Sequence, residues 1–200
     1  MIPVTYQTEV EGMPVVVVDG LLAPRDLERT LAFLSLSSYS KSESARGDTQ
    51  EFKHWALNVP PESMNRLPLL GLTEAVLAEH FTRNGPWRLY RSYCNVAQYG
   101  DMLFSHSDCL PDQIQLTALW YLAKDWNMEW GGETLFFDEA GDARAVVSPK
   151  PGRLSVFDGR IRHVGRPPNR ICFVPRYTFA LKFERLTEAG TARAEPVPVR

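Results

Sequence analysis

The chain has 200 residues, and 22.7 kDa is the size of one domain with at most a short appendage. Its 22 basic and 24 acidic residues leave a formal net charge of −2, without the basic excess of a dedicated nucleic-acid or membrane-surface binder. A hydrophobic content of 44% with 23% charged residues excludes disorder as the default state.

Three widely spaced cysteines, Cys94, Cys109 and Cys172, form no disulfide framework and read as free thiols of a reducing compartment. No apolar run approaches the roughly 20 residues needed to span a bilayer, and residues 1–13 lack the basic-then-apolar order of a secretory signal. The expectation is a cytoplasmic protein with no membrane and no nucleic-acid partner; its oligomeric state is open.

In chain order, 14–18 is a β-branched run closed by Asp19-Gly20 and reads as a strand. Pro24 then opens a helical pattern in which Leu27, Leu31 and Leu34 recur at three- and four-residue spacing. Residues 35–50, rich in Ser, Gly and charge, read as a loop. A second helix is expected over 64–81, from Leu67, Leu70, Leu72, Val76 and Phe81. From Trp87 onward, short β-rich runs at 87–99, 115–123, 133–137, 145–147, 153–157, 170–174 and 177–183 predict an antiparallel barrel or sandwich. The expected organisation is a single domain over 1–185, with helical support at about 21–83, a β-core at about 87–184 and a flexible tail at 186–200.

Chemistry concentrates in the β-rich part. Side chains at i and i+2 of an extended segment share a face, so His106 and Asp108 can hold one ion; taken alone, the pair reads equally as a polar surface turn. His163 follows a strand and the Asp158-Gly159 turn, at a strand end where a barrel can bring it against His106; its competing reading is a packing or capping histidine. Two imidazoles and a carboxylate leave about three octahedral positions open, which suits non-haem iron(II), whereas zinc prefers a closed tetrahedral site or one open position. Residues 176–183 alternate: Tyr177, Phe179, Leu181 and Phe183 form one face, and Arg176, Thr178, Ala180 and Lys182 the other. One Arg among small neighbours suits a narrow pocket where a guanidinium meets a buried carboxylate, with Tyr121 as a second donor; the alternative is a solvated strand edge.

Several motifs then occur in a telling order: Gln98-Tyr99-Gly100, His106-Ser107-Asp108, the run 119–126, Trp130-Gly131-Gly132-Glu133-Thr134, the strand 153–158 ahead of His163, and Arg176-Tyr177. Over about 90–184 the sequence resembles the prolyl 4-hydroxylase-like branch of the iron(II)/2-oxoglutarate-dependent dioxygenases. The resemblance implies a mainly β fold with flanking α-helices, the double-stranded β-helix (jelly roll, cupin-like). It implies Fe(II) on His106, Asp108 and His163. It also implies 2-oxoglutarate held at its distal carboxylate by Arg176 and Tyr121 with Tyr99 nearby, and ascorbate as an accessory reductant. The implied reaction couples O2 and decarboxylation of 2-oxoglutarate to succinate with hydroxylation of an unactivated C–H. Two departures stand out: the interval from His163 to Arg176 is thirteen positions, long for this branch, and Arg170 gives an Arg-x5-Arg spacing reminiscent of nucleic-acid demethylases. Arg176 is taken as the cosubstrate ligand because it opens the patterned strand, and Arg170 as a loop residue.

For the substrate, strand parity groups Arg91, Asn95 and Tyr99, and Lys182 lies on the Arg176 face near the expected cavity mouth, where a polar or anionic substrate would meet it. The competing reading of Lys182 is an exposed strand-end lysine. The 35–55 loop, with Arg46, is a candidate lid. The leading expectation is a hydroxylase of a small molecule, an amino acid or natural-product intermediate. The alternatives are a prolyl or amino-acyl hydroxylase acting on a protein, a non-catalytic jelly-roll binding module, and a zinc hydrolase on the same three ligands.

Overall fold

A computed structural model describes residues 1–186; the expected tail at 186–200 therefore lies almost wholly outside the described residues. The elements are β1 (Tyr6–Val10), β2 (Met13–Val18), α1 (Pro24–Leu36), β3 (Ser40–Glu43), β4 (His54–Asn58), α2 (Leu69–His80), β5 (Trp87–Ala97), β6 (Gln115–Leu122), β7 (Thr134–Phe137), β8 (Ala143–Val147), β9 (Arg153–Asp158), β10 (Arg162–Gly165) and β11 (Arg176–Arg185). Eight strands form a large sheet in the order β1-β2-β9-β6-β11-β5-β4-β3, and three form a smaller one, β10-β7-β8. The pairings are antiparallel, and the two sheets face each other as a double-stranded β-helix.

Both helices cover the outer face of the large sheet. Leu34 of α1 and Leu69, Val76 and Leu77 of α2 belong to one core with Trp120, Leu122, Phe179, Leu181 and Phe183. The buried Trp120 indole donates to Thr73 Oγ1 at 2.9 Å, so the polar atom that this packing buries is satisfied. Between the sheets a second core gathers Val15, Val17, Tyr121, Phe136, Phe157 and Ile161. The alternation read in 176–183 therefore serves two layers: its aromatic and aliphatic face meets the helices, and its Arg–Thr–Ala–Lys face lines the interior. Pro24 suits the first turn of α1, where no N–H is needed.

Several elements depart from the sequence expectation. The second helix begins at Leu69 because Pro68 holds Leu67 extended (φ −114°, ψ 139°), and Pro61–Arg66 forms a separate 3-10 turn. The polar strand β1 pairs with the valine-rich β2 through Glu11-Gly12, a two-residue turn with positive φ at both positions. The expected loop at 35–50 contains β3, which pairs with β4 at the sheet edge. Residues 170–174, expected as a strand, are turn and coil, with Phe173 exposed and Pro175 unable to donate to a ladder. The strand there is instead β10, which carries His163. No helix among the described residues is long and apolar enough to cross a membrane.

One buried arginine fastens the frame. Arg153, at the start of β9, donates from Nε and Nη2 to Asp19 at 2.7 and 2.8 Å and from Nη1 to Ser148 O at 2.9 Å. The hydrogen bonds from Arg153 hold the Asp19 carboxyl below its ordinary range. Asp19→Asn should cost about 1 kcal/mol at pH 7, a figure kept small because the carboxylate stays partly exposed to solvent. A carboxyl with a depressed folded pKa stabilises above its unfolded value, about 3.9, and loses that contribution as pH falls through the folded value. Urea unfolding should therefore separate wild type from Asp19→Asn at pH 7 and bring them together once the pH has fallen through the depressed folded value.

Candidate active site

Strand pairing brings the chemistry together. His106 lies outside the named strands, but its N–H donates to His163 O and its carbonyl accepts from His163 N–H, both at 2.9 Å. This antiparallel pair sets the two imidazoles 4.6 Å apart, centroid to centroid. Asp108 N–H donates to Gly159 O at 2.7 Å, fixing the carboxylate beside them. His106 Nε2 lies 3.4 Å from Asp108 Oδ1 and His163 Nε2 lies 3.6 Å from Asp108 Oδ2. One ligand atom from each of the three falls within 4.8 Å of the others, a His-Asp-His metal site.

The donor set suits a divalent ion in detail. His106 Nδ1 faces Phe104 O at 3.1 Å and His163 Nδ1 faces Ile161 O at 2.9 Å. A carbonyl only accepts, so each Nδ1 carries the proton and each Nε2 presents a lone pair to the shared point. Burial lowers the pKa of His163 to about 4, which keeps it a neutral ligand at physiological pH. Burial alone would raise the Asp108 carboxyl, but the Lys182 ammonium beside it holds it well below the ordinary range.

Lys182 is the main correction to the expected substrate group. It is buried, not at the mouth, and its Nζ contacts both Asp108 Oδ2 and, at 3.0 Å, Thr117 Oγ1. The Thr117 hydroxyl in turn donates to Asp108 Oδ2 at 2.5 Å. An inward position near the middle of a long strand, opposite the carboxylate, explains why an ammonium that strand parity could place only by face ends at the metal ligand.

On the far side of the cavity sits Arg176, 3% exposed. Its Nε donates to Gly132 O at 2.6 Å, Nη2 to Thr134 Oγ1 at 3.2 Å and Nη1 to Thr178 Oγ1 at 3.3 Å. Among the described residues no carboxylate lies within ion-pair distance, and burial lowers its pKa from the ordinary arginine value. Gly132 has φ +81°, and a Cβ there would stand 3.0 Å from the Trp126 ring and 3.1 Å from Arg176 Cδ, so only glycine lets this carbonyl approach. Tyr121 OH donates to Thr134 Oγ1 at 2.7 Å, and its ring lies 5.6 Å from the guanidinium. Tyr121 thus supports the arginine through Thr134.

Arg176, Thr178, Ala180 and Lys182 line one cavity with His106, His163, Thr117, Thr134, Tyr93 and Asn95. Its empty space is about 630 Å³ including the open mouth. The Asn95 side-chain oxygen is buried in this wall without a hydrogen-bond partner. Two other expected residues stand elsewhere. Tyr99 follows the end of β5 and is 65% exposed, away from the cosubstrate position expected for it. Arg91 is drawn outward by Glu43 of β3 and the face of Tyr93, and it does not line the cavity. Arg170 is an exposed loop residue, as expected.

The segment 44–53 folds toward the mouth: Arg46 Nη1 donates to Ser105 O at 2.5 Å, and Phe52 packs on Phe104 at 5.3 Å. Ala45 and His54 join the cavity lining there. Thr117, Thr134, Thr178, Gly132 and His54 had no role assigned from sequence. Of these only Thr178 carried a signal, its inward parity two residues after Arg176.

Residues 94–183 match the family model of the 2OG-Fe(II) oxygenase superfamily. No protein with a curated description matches the chain. Among solved structures, a prolyl-4-hydroxylase from Pseudomonas putida is similar at TM-score 0.62 and 17% identity, covering 86% of this chain and 93% of that one. A Trichoplax adhaerens prolyl hydroxylase in complex with a hypoxia-inducible-factor peptide gives TM-score 0.63 and 16% identity, with 85% and 83% covered. HygX from Streptomyces hygroscopicus, with nickel and 2-oxoglutarate bound, gives TM-score 0.63 and 14% identity, with 86% and 82% covered. The match over residues 94–183, together with the His106-Asp108-His163 site, supports a dioxygenase domain similar to the 2OG-Fe(II) oxygenase superfamily, whose members use Fe(II) and 2-oxoglutarate.

Proposed function

We propose that this protein hydroxylates an unactivated C–H of a small polar molecule, with His106, Asp108 and His163 holding Fe(II) and Arg176 holding the distal carboxylate of 2-oxoglutarate. The observation that carries this reading is the buried Arg176 guanidinium, which faces the metal-ligand cavity with hydroxyl and carbonyl partners and, among the described residues, no carboxylate within ion-pair distance. A buried cation without a carboxylate is costly, and a dicarboxylic acid spanning from Arg176 to the metal site removes that cost. Bound ferrous iron would supply oxygen activation coupled to decarboxylation of 2-oxoglutarate to succinate.

The chain's own residues do the rest. Thr134 and Thr178 fix the rotation of the guanidinium, and Tyr121 fixes Thr134. Phe157 packs edge-on against His163 at 4.7 Å and, with Leu119, keeps water from the wall behind the metal site. Asn95, with its unpartnered oxygen, offers an acceptor to a substrate N–H or O–H. Arg46 and Phe52, reaching across to 104–105, narrow the mouth, which favours a small molecule over an extended peptide. The similarity to a prolyl hydroxylase in complex with a peptide supports a second reading, hydroxylation of a residue in a protein.

Arg176→Met should leave Mn(II) binding intact and weaken 2-oxoglutarate on the Mn(II)-loaded protein about 100-fold, the equivalent of losing charge-assisted hydrogen bonds; titration calorimetry reads both. Retained wild-type affinity for 2-oxoglutarate would remove Arg176 from the site. For the substrate, free amino acids and their derivatives should raise succinate formation above the uncoupled rate, whereas peptides should not. Stimulation by peptides alone would establish the protein-directed reading.

A further inference from the structure

The Lys182 ammonium is an addition to the charge of the site that metal binding does not require. The site already holds one carboxylate, Asp108, beside the two histidines, and one buried guanidinium, Arg176, in the cavity wall. With a divalent ion and the dianion of 2-oxoglutarate, those groups sum to zero. Lys182, 5% exposed and on the same wall, adds one further positive charge. Its Nζ sits against the Asp108 carboxylate and the Thr117 hydroxyl, the surroundings of an ammonium.

Its geometry shows how that charge acts. Lys182 Nζ and the Thr117 hydroxyl converge on the same oxygen, Asp108 Oδ2, while Lys182 also donates to Thr117. Oδ1, turned toward His106 Nε2, is the oxygen these two donors leave to a metal. No other ammonium or guanidinium among the described residues forms an ion pair with Asp108. Tyr93, whose ring centroid lies 6.0 Å from Nζ, supplies only a π face.

We propose that Lys182 is a charge-setting and positioning residue of the metal centre: it caps one oxygen of Asp108, competes with the metal for that carboxylate, and makes the open coordination positions selective for carboxylate anions. This rests on the metal and cosubstrate reading above and extends it to a residue of the centre that touches neither the ion nor the distal carboxylate. The two effects of the charge have opposite signs. A cation beside Asp108 opposes a divalent ion, yet it attracts the dianion that the ion must bind.

The test compares wild type, Lys182→Met, Lys182→Gln and Lys182→Arg, with circular dichroism as a check on folding. Mn(II) affinity is read by electron paramagnetic resonance, and 2-oxoglutarate affinity on the Mn(II)-loaded protein by calorimetry. Lys182→Met should bind Mn(II) as tightly as wild type or more so, while 2-oxoglutarate weakens about tenfold; Lys182→Gln should behave alike if the Met variant does not fold. Lys182→Arg should keep both affinities near wild type. A merely structural role would weaken metal and dianion together, and that outcome overturns the proposal, as does unchanged 2-oxoglutarate affinity in both neutral variants. A wild-type protein that binds Mn(II) but not 2-oxoglutarate overturns the cosubstrate reading, and this proposal with it.

Discussion

A guanidinium keeps its charge at any ordinary pH, and burying one between the sheets of a jelly roll constrains everything near it. Arg176 is held by a glycine carbonyl and two threonine hydroxyls, all neutral, so its charge is oriented without being cancelled. That arrangement needs Gly132 in the left-handed region, Thr134 opening β7, and the inward parity of Thr178 on β11. Each looks unremarkable in isolation. Together they hold the guanidinium open to the same cavity as the two histidines, the socket proposed here for the cosubstrate.

The metal ligands depend on a different kind of constraint. His106 and His163 are 57 positions apart in sequence, and reciprocal backbone hydrogen bonds make them direct neighbours. Their side chains inherit that register, and the Nδ1 contacts to Phe104 and Ile161 choose the tautomer that a metal needs. Binding competence is thus written largely in the backbone. The centre departs from simplicity only at Lys182, where an ammonium shares the carboxylate.

What the sequence made legible follows from the range of the interactions involved. The face of β11 was readable because alternation is local and one side is apolar. The His-x-Asp pair was readable because extended backbone puts i and i+2 together. Tyr99 and Arg91 shared parity with Asn95, yet only Asn95 lines the cavity. The strand ends at Ala97 before Tyr99 is reached, and Glu43 on a polar edge strand pulls Arg91 outward. That edge strand, Ser-Lys-Ser-Glu, has the composition of a loop and becomes a strand only by pairing with β4. The apolar run near Phe173 failed in the opposite direction: its composition suits a strand, but Pro175 and the lack of a partner strand among the described residues leave it as turn and coil.

The central claim is that one ferrous ion and one 2-oxoglutarate meet between His106, Asp108, His163 and Arg176. Anaerobic addition of Fe(II) and then 2-oxoglutarate to the protein tests it most directly, followed by visible absorption spectroscopy. A weak charge-transfer band that grows to saturation at one 2-oxoglutarate per protein is the expected result. An iron-loaded sample that develops no band at saturating 2-oxoglutarate would contradict it.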